Sequence, residues 1–258
     1  MALEDGALTS DESTILIGSD VPSRSAVRRY FFVVMASTIT VIVFAGFAPS
    51  FYLRGAFQPN DKLSVLLHVH GAVFSTWIIL FLVQAILIVR GSRTLHRRLG
   101  WFAALVAVAM VGLVVAATVE EMRRVPPFPP APVALALNTF DTVVFAILVS
   151  GAIYLRKQPD WHKRLLLSAT LVLLGAPILR LLILVAGHIS HELLIIDVLL
   201  VDLLFLICFA FDLRTRHRIH PGYFCALALL LADQVTTFSV MAWPPWVNFA
   251  NAVQQLVS

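Results

Sequence analysis

Seven long apolar runs dominate the sequence and leave few choices of fold. They cover roughly residues 30–53, 63–89, 99–119, 131–155, 165–187, 192–212 and 221–242. Each run reaches about 20 residues or more, the length that an α-helix needs to cross the hydrocarbon core of a bilayer. The runs are continuously apolar and do not alternate, which excludes an outer-membrane β-barrel. The sequence therefore predicts an all-α, polytopic membrane protein, a bundle of seven transmembrane helices in the lipid bilayer.

The segments outside these runs are short. Residues 1–29 carry several acidic side chains ahead of any apolar run, which is not the pattern of a signal peptide. We expect residues 1–29 to be a disordered cytoplasmic tail, residues 30–246 to form the seven-helix transmembrane domain, and residues 247–258 to be a short outer tail.

The basic residues predict the orientation of the bundle. Fourteen Lys and Arg precede the first run or join runs two and three, four and five, and six and seven, whereas four lie in the connections on the opposite side. Lys and Arg are enriched in cytoplasmic loops, so we expect the N-terminus inside and the C-terminus outside. The net charge of +4 is spread over several short loops and does not form a nucleic-acid-binding surface.

Three short motifs carry a resemblance. They are "HVHG", followed by Phe, Trp and Gln in the same run, then "HRRLGW" at 96–101 and "HKRL" at 162–165. This pattern resembles a group of bacterial inner-membrane proteins without an established activity, and the H-R-x-L-G element is similar to one in membrane proteins grouped as a domain of unknown function. The resemblance implies a multi-pass protein of the bacterial inner membrane and no particular reaction.

Ionisable residues inside the spans are the candidate functional groups, because a charge in the hydrocarbon core is costly. They are His68 and His70 in the second run, Asp141 in the fourth, Arg180 in the fifth, Asp197 and Asp202 in the sixth, and Asp233 in the seventh. At 1.5 Å per residue, all of them fall in the outer half of the bundle, the deepest about 14 to 15 Å from its outer end. The sequence predicts an acidic, His-containing pocket there.

The charges of this layer suggest specific partners. Arg180 and Asp197 match in depth, so we expect a structural ion pair between them. The three remaining carboxylates must be protonated, solvated or neutralised by a cation. The predicted metal ligands are His68, Asp141, Asp202 and Asp233, and the candidate cofactor-binding residues are His68, His70, His188 and His191.

The two histidines of "HVHG" cannot bind the same metal ion. Residues two apart on an α-helix point about 200° apart, so His68 and His70 cannot chelate one ion. We expect His68 to face the interior, and His70 to bond to a neighbouring helix or to face the interface.

Three classes of function fit these features. The first is binding of a metal or haem, for redox work or for assembling a respiratory complex with a partner subunit, since histidines recur on several helices. His96, His162, His217 and His220 would supply a second site, although they fall in predicted loops.

The second class is a transporter or sensor coupled to a cation or to protons, with Asp141, Asp202 and Asp233 titrating. The sequence shows no unwound, Gly/Pro-rich pair of helices, which counts against a broken-helix transporter.

The third class is a membrane-embedded lipid hydrolase. Its seven-helix topology fits, but the seventh run has no histidine for a zinc site of that kind. The same run has no lysine, which excludes retinal bound as a Schiff base. No catalytic residue can be assigned, and the sequence favours a protein that is not an enzyme.

Overall fold

The computed structural model describes residues 24–60, 62–123 and 130–257, and these residues form helices and no strand. The helices are α1 (Arg24–Phe47), α2 (Arg54–Phe57), α3 (Val65–Val89), α4 (Arg93–Met122), α5 (Ala131–Tyr154), α6 (Pro159–Val172), α7 (Gly175–Ala186), α8 (His191–Arg216), α9 (Pro221–Met241) and α10 (Pro244–Val257). A π-helix, Ala48–Tyr52, continues α1.

The predicted seven-span, all-α architecture is confirmed within the described residues. Seven helical segments are long and apolar enough to cross a membrane: Tyr30–Tyr52, Val65–Val89, Arg93–Met122, Ala131–Tyr154, Pro159–Ala186, His191–Arg216 and Pro221–Met241. The third and fifth begin about six residues earlier than the apolar pattern indicates. Arg, Lys and His residues at their N-termini are polar, so they lie outside the apolar run, but they are compatible with a helix and belong to it.

The expected tails are described over residues 24–29 and 247–257. The expected N-terminal tail lies outside the described residues as far as residue 23, and α1 begins at Arg24. Most of the expected outer tail belongs to α10, which packs on α4, α5 and α9. Trp246 of α10 donates a hydrogen bond to the carbonyl of Pro132, 3.0 Å away.

Two of the spans are not regular α-helices throughout, since the fifth is interrupted and the first ends as a π-helix. In the fifth span α6 ends at Val172 and α7 begins at Gly175. Pro177 has no N–H to bond to the carbonyl of Leu173, four residues earlier, and its ring crowds that carbonyl, so the helix breaks there. In the first span, Pro49 lies at the start of the π-helix.

The break in the fifth span changes the neighbours of its two halves. α6 is the central helix of the bundle and packs on α1, α5, α8 and α9, whereas α7 packs mainly on α1 and α8. Gly46 of α1 allows close contact with α7, since a Cβ there would lie 2.4 Å from the carbonyl oxygen of Pro177. The centre of the bundle is therefore filled by α6 in one half and left open beside α7 in the other.

A buried ion pair fixes the α6 end of the bundle. Arg164 on α6 donates two hydrogen bonds to Asp212 on α8, at 2.9 Å and 2.5 Å. Arg164 also donates to Asp160, and its guanidinium lies 5.5 Å from the ring centroid of Tyr223 on α9. Sequence reasoning assigned Arg164 to a cytoplasmic loop and did not consider Asp212.

Candidate ligand-binding cavity

A cavity of about 280 Å³ occupies the half of the bundle beside α7. It lies toward the ends of the spans formed by the π-helix, the start of α3, the end of α4 and the start of α5. Seven helices each contribute one His, Arg, Asp or Glu side chain to its wall. These are Arg54 on α2, His70 on α3, Glu121 on α4, Asp141 on α5, Arg180 on α7, Asp197 on α8 and Asp233 on α9.

Three of the carboxyl groups form an acidic pole. The carboxyl groups of Asp141 and Asp233 lie within hydrogen-bonding reach of each other, and the charge of Asp197 acts on Asp141. Asp197 and Asp233 are only 6% and 7% exposed. In each of these two residues the buried Oδ1 receives no hydrogen bond from a donor among the described residues. Two carboxyl groups this close cannot both be ionised, so the Asp141–Asp233 pair shares a proton unless a cation replaces it.

Asp197 also touches the start of α7. Its Oδ2 lies 3.2 Å from the position that a Cβ on Gly175 would occupy, and the backbone of Leu179 is within hydrogen-bonding reach. The N-terminal end of a helix favours negative charge. The helix break thus places the start of α7 beside one carboxylate of the pole.

Arg180 defines a second, basic pole. Its guanidinium lies 4.8 Å from the ring centroid of Phe47 on α1, a cation–π contact. Glu121 on α4 acts on it electrostatically, and Arg180 in turn acts on His70. The basic pole therefore lies toward α1, α3 and α4, whereas the acidic pole lies toward α5, α8 and α9.

Neutral polar and aromatic groups line the space between the poles. Asn138 donates a hydrogen bond to the hydroxyl of Thr118 at 2.9 Å. The ring of Phe51 fits against Gly71, where a Cβ would lie 2.3 Å from the ring. Gly71 of "HVHG" is therefore required for this aromatic contact, and a bound molecule would meet both polar and apolar surface.

The structure reverses the expected roles of the two histidines. His68 is exposed, and its Nδ1 lies 2.9 Å from the carbonyl oxygen of Ser64. His70 lines the cavity, stacks on Phe74 with 4.2 Å between ring centroids, and has a buried Nδ1 without a partner among the described residues. The expectation that His68 faces the interior is wrong, because the interior face of α3 continues through His70, Gly71 and Phe74.

The predicted metal site is not assembled. Asp202 lies outside the cavity wall and accepts a hydrogen bond from Gln234 at 2.9 Å. His188 and His191 are both exposed, His188 against the carbonyl of Ala186 and His191 against Phe238. Of the predicted ligands, only Asp141 and Asp233 come together. Across residues 24–60, 62–123 and 130–257, no three His, Cys, Asp or Glu side chains are arranged to hold a metal ion.

The predicted ion pair between Arg180 and Asp197 is also not formed. Both side chains line the cavity, yet no contact between them within 4 Å is found in the described part of the chain. Sharing one cavity does not bring the two side chains together. Their direction around α7 differs, since Arg180 points toward α1 and the surface near Gly175 faces α8.

The remaining histidines lie near the opposite end of the bundle. His96 on α4 and His162 on α6 are in helices, not loops, and their ring centroids are 6.4 Å apart beside a cavity of about 80 Å³. His217 is a left-handed residue at the end of α8, and His220 caps α9 by accepting a hydrogen bond from Gly222 N–H. In the described residues these four histidines do not come together as the second metal or haem site suggested by the sequence.

The capping histidine has a perturbed charge state. Partial burial and the nearby cations Arg164 and Arg216 lower the pKa of the His220 imidazole. The neutral ring is the form that accepts the Gly222 N–H through Nδ1. Burial and capping therefore favour the same uncharged state.

Comparison with family models, with curated proteins and with solved structures gives no match to this chain. Function must be argued from the cavity itself.

Proposed function

We propose that the protein takes up a small cation at the acidic pole in exchange for a proton, as a cation- or proton-coupled transporter or sensor. The observation that carries this proposal is the proximity of the Asp141 and Asp233 carboxyl groups, with Asp197 lining the same cavity. Ionisable groups in such a position in a membrane protein mark ion or proton pathways.

The coupling follows from electrostatics. In a low-dielectric layer the shared proton holds Asp141 and Asp233 together, because two adjacent negative charges are unfavourable. A cation between these carboxylates supplies the same compensation, so its arrival releases the proton. The protein thereby exchanges one positive charge for another without leaving an uncompensated anion in the membrane.

The interrupted fifth span supports a transporter or sensor. Broken helices at a binding site are a recurring feature of secondary transporters, where helix ends and freed backbone groups face the ligand. Here the break in the fifth span places Gly175 beside Asp197 and leaves the cavity open. A metal or haem centre is less favoured, since His68 is exposed and Asp202 is bonded to Gln234.

Proton release on cation binding tests the proposal. Purified protein in weakly buffered detergent at pH 7 is titrated with the chlorides of Na⁺, K⁺, hexylammonium and Zn²⁺, and a pH-indicator dye reports the protons set free. We expect saturable release, approaching one proton per protein, with at least one of these cations. Asp141→Asn and Asp233→Asn should both abolish it, since either change removes the pair.

His68→Gln is the matched control, because His68 is on the same bundle end but exposed. Its titration should equal that of the unmodified protein. The proposal is refuted if none of the four cations releases a proton, or if release persists in Asp141→Asn. Release by Zn²⁺ alone that is lost in His68→Gln would refute it in favour of the metal site predicted from the sequence.

Proteoliposomes then separate transport from sensing. With an outward proton gradient, a coupled transporter should accumulate the cation identified above, and the Asp233→Asn protein should not. Binding of the cation without its accumulation would indicate that the protein is a sensor.

A further inference from the structure

Arg180 is a cation in a membrane-spanning segment, and no anion among the described residues is bonded to it. Its guanidinium lines the cavity, and within the described residues no hydrogen bond or ion pair reaches its nitrogens. The Phe47 ring covers one face of the guanidinium, which leaves the in-plane N–H donors available. A guanidinium in this setting favours a carboxylate, which it binds with two parallel hydrogen bonds.

The two poles are far enough apart that they do not neutralise each other. Asp197 meets α7 at Gly175 and at the backbone of Leu179, on the side that faces α8, and no contact within 4 Å joins it to Arg180 in the described part of the chain. Arg180 also turns toward α1, where it meets Phe47, and away from the Asp141–Asp233 pair. The cavity thus presents Arg180, on which Glu121 of α4 acts, at one side and the three aspartates at the other.

The cavity has room for a molecule that spans both poles. A cavity of 150 Å³ in another protein holds benzene, so a space of 280 Å³ holds about 11 non-hydrogen atoms. Phe51 and Phe74 add apolar surface to the cavity wall beside the charged groups. A bound molecule with charged ends and an apolar middle would match this mixed wall.

We infer that the cavity binds an elongated zwitterion, with an ammonium group at Asp141, Asp233 and Asp197 and a carboxylate at Arg180. This inference rests on the proposed function and specifies its ligand class. The cation of the exchange is then the ammonium end of the molecule, and its carboxylate end satisfies the guanidinium. Arg180 acts as the residue that distinguishes an amino acid from a plain amine.

A matched set of three compounds tests the inference. The three compounds have the same chain length. 6-Aminohexanoate carries both charges, hexylamine carries only the positive charge, and hexanoate carries only the negative charge. Proton release and thermal shift are measured for each with the full-length protein in detergent. We expect 6-aminohexanoate to bind about tenfold or more tightly than hexylamine, because charge-assisted hydrogen bonds to Arg180 add to those at the acidic pole. 4-Aminobutyrate and 8-aminooctanoate then report the spacing of the poles.

Arg180→Gln should remove the advantage of the zwitterion and leave the affinity for hexylamine within about twofold. Arg180→Lys should keep part of the advantage, and Arg123→Gln, at an exposed position outside the cavity, should change neither affinity. If Arg180→Gln does not accumulate, the comparison of the three compounds in the unmodified protein decides alone.

The outcomes separate this inference from the proposed function. If hexylamine or a metal cation releases a proton and 6-aminohexanoate binds no better than hexylamine, the zwitterion inference is overturned and the exchange stands. If the zwitterion binds tightly but Arg180→Gln keeps the full preference, the assignment of the carboxylate to Arg180 is overturned. If no cation and no amine releases a proton, both fail.

Discussion

Arg164→Gln should be among the most damaging single changes in this chain. Arg164 is 2% exposed and its partner Asp212 is 1% exposed, so the change leaves a carboxylate buried without its two strongest donors. Breaking a buried ion pair by removing one partner costs about 3 to 5 kcal/mol. At about 2 to 4 °C per kcal/mol, the midpoint of thermal unfolding should fall by about 6 to 20 °C. The measurement is tryptophan fluorescence or differential scanning calorimetry of the protein in one detergent.

Arg123→Gln is the control, because it removes the same charge from an exposed pair with Glu120. Exposed pairs are worth less than about 1 kcal/mol, so its midpoint should shift by no more than a few degrees. Combining Arg164→Gln with Asp212→Asn should recover much of the loss, since no unpaired charge is left buried. Equal shifts for Arg164→Gln and Arg123→Gln, or additive losses in the double variant, would refute the assignment of a stabilising buried pair.

Gly46→Ala should destabilise the protein by about 1 to 3 kcal/mol, because the new Cβ would lie 2.4 Å from the carbonyl oxygen of Pro177. Gly112→Ala, where a Cβ would meet no atom within 4 Å, should instead stabilise its helix by about 1 kcal/mol in the same thermal assay. A loss of stability in both variants would show that the effect at Gly46 does not come from the α1–α7 contact. The pKa of His220 is lowered from 6.5 in the folded protein, so the unfolded chain binds the proton first. Stability should be full above about pH 6.5 and should decline as the pH falls below it, whereas His220→Asn, which keeps a capping oxygen, should flatten this part of the profile. A fluorescent protein that matures only in the cytosol should stay dark when fused after Ser258, and bright cells would mean that the predicted orientation is reversed.

The length and continuity of apolar runs predicted the fold well, since each span must satisfy its backbone hydrogen bonds internally and can only be a helix. Side-chain direction was harder to predict. His68 and His70 lie two residues apart on the same helix, so at most one of them could face the interior, and the choice of His68 was wrong. The ring of Phe51 against Gly71, which identifies the interior face, comes from a segment distant along the chain.

Contacts between helices were not predictable from residue counts. Counting residues from the helix ends predicted one layer for Arg180 and Asp197, and both line one cavity without bonding to each other. Whether they bond depends on rotation about α7, which the break near Pro177 sets. The signal for that break, Gly175 and Pro177 inside an apolar run, was present in the sequence and was overlooked. Arg164 was missed for a related reason, because a basic residue near a span end fits the rule for cytoplasmic loops equally well.

The break in the fifth span divides it into two helices that can change their relative angle. α6 is bonded to α8 through Arg164, and α7 packs on α1 where Gly46 faces Pro177. Arg180 lies six residues beyond the joint at Leu174, about 9 Å along the axis. A rotation of about 10° at the joint would therefore move the base of Arg180 by about 1.6 Å, half a hydrogen-bond length. A small change of angle at one peptide can thus widen or narrow the distance between the two charged poles.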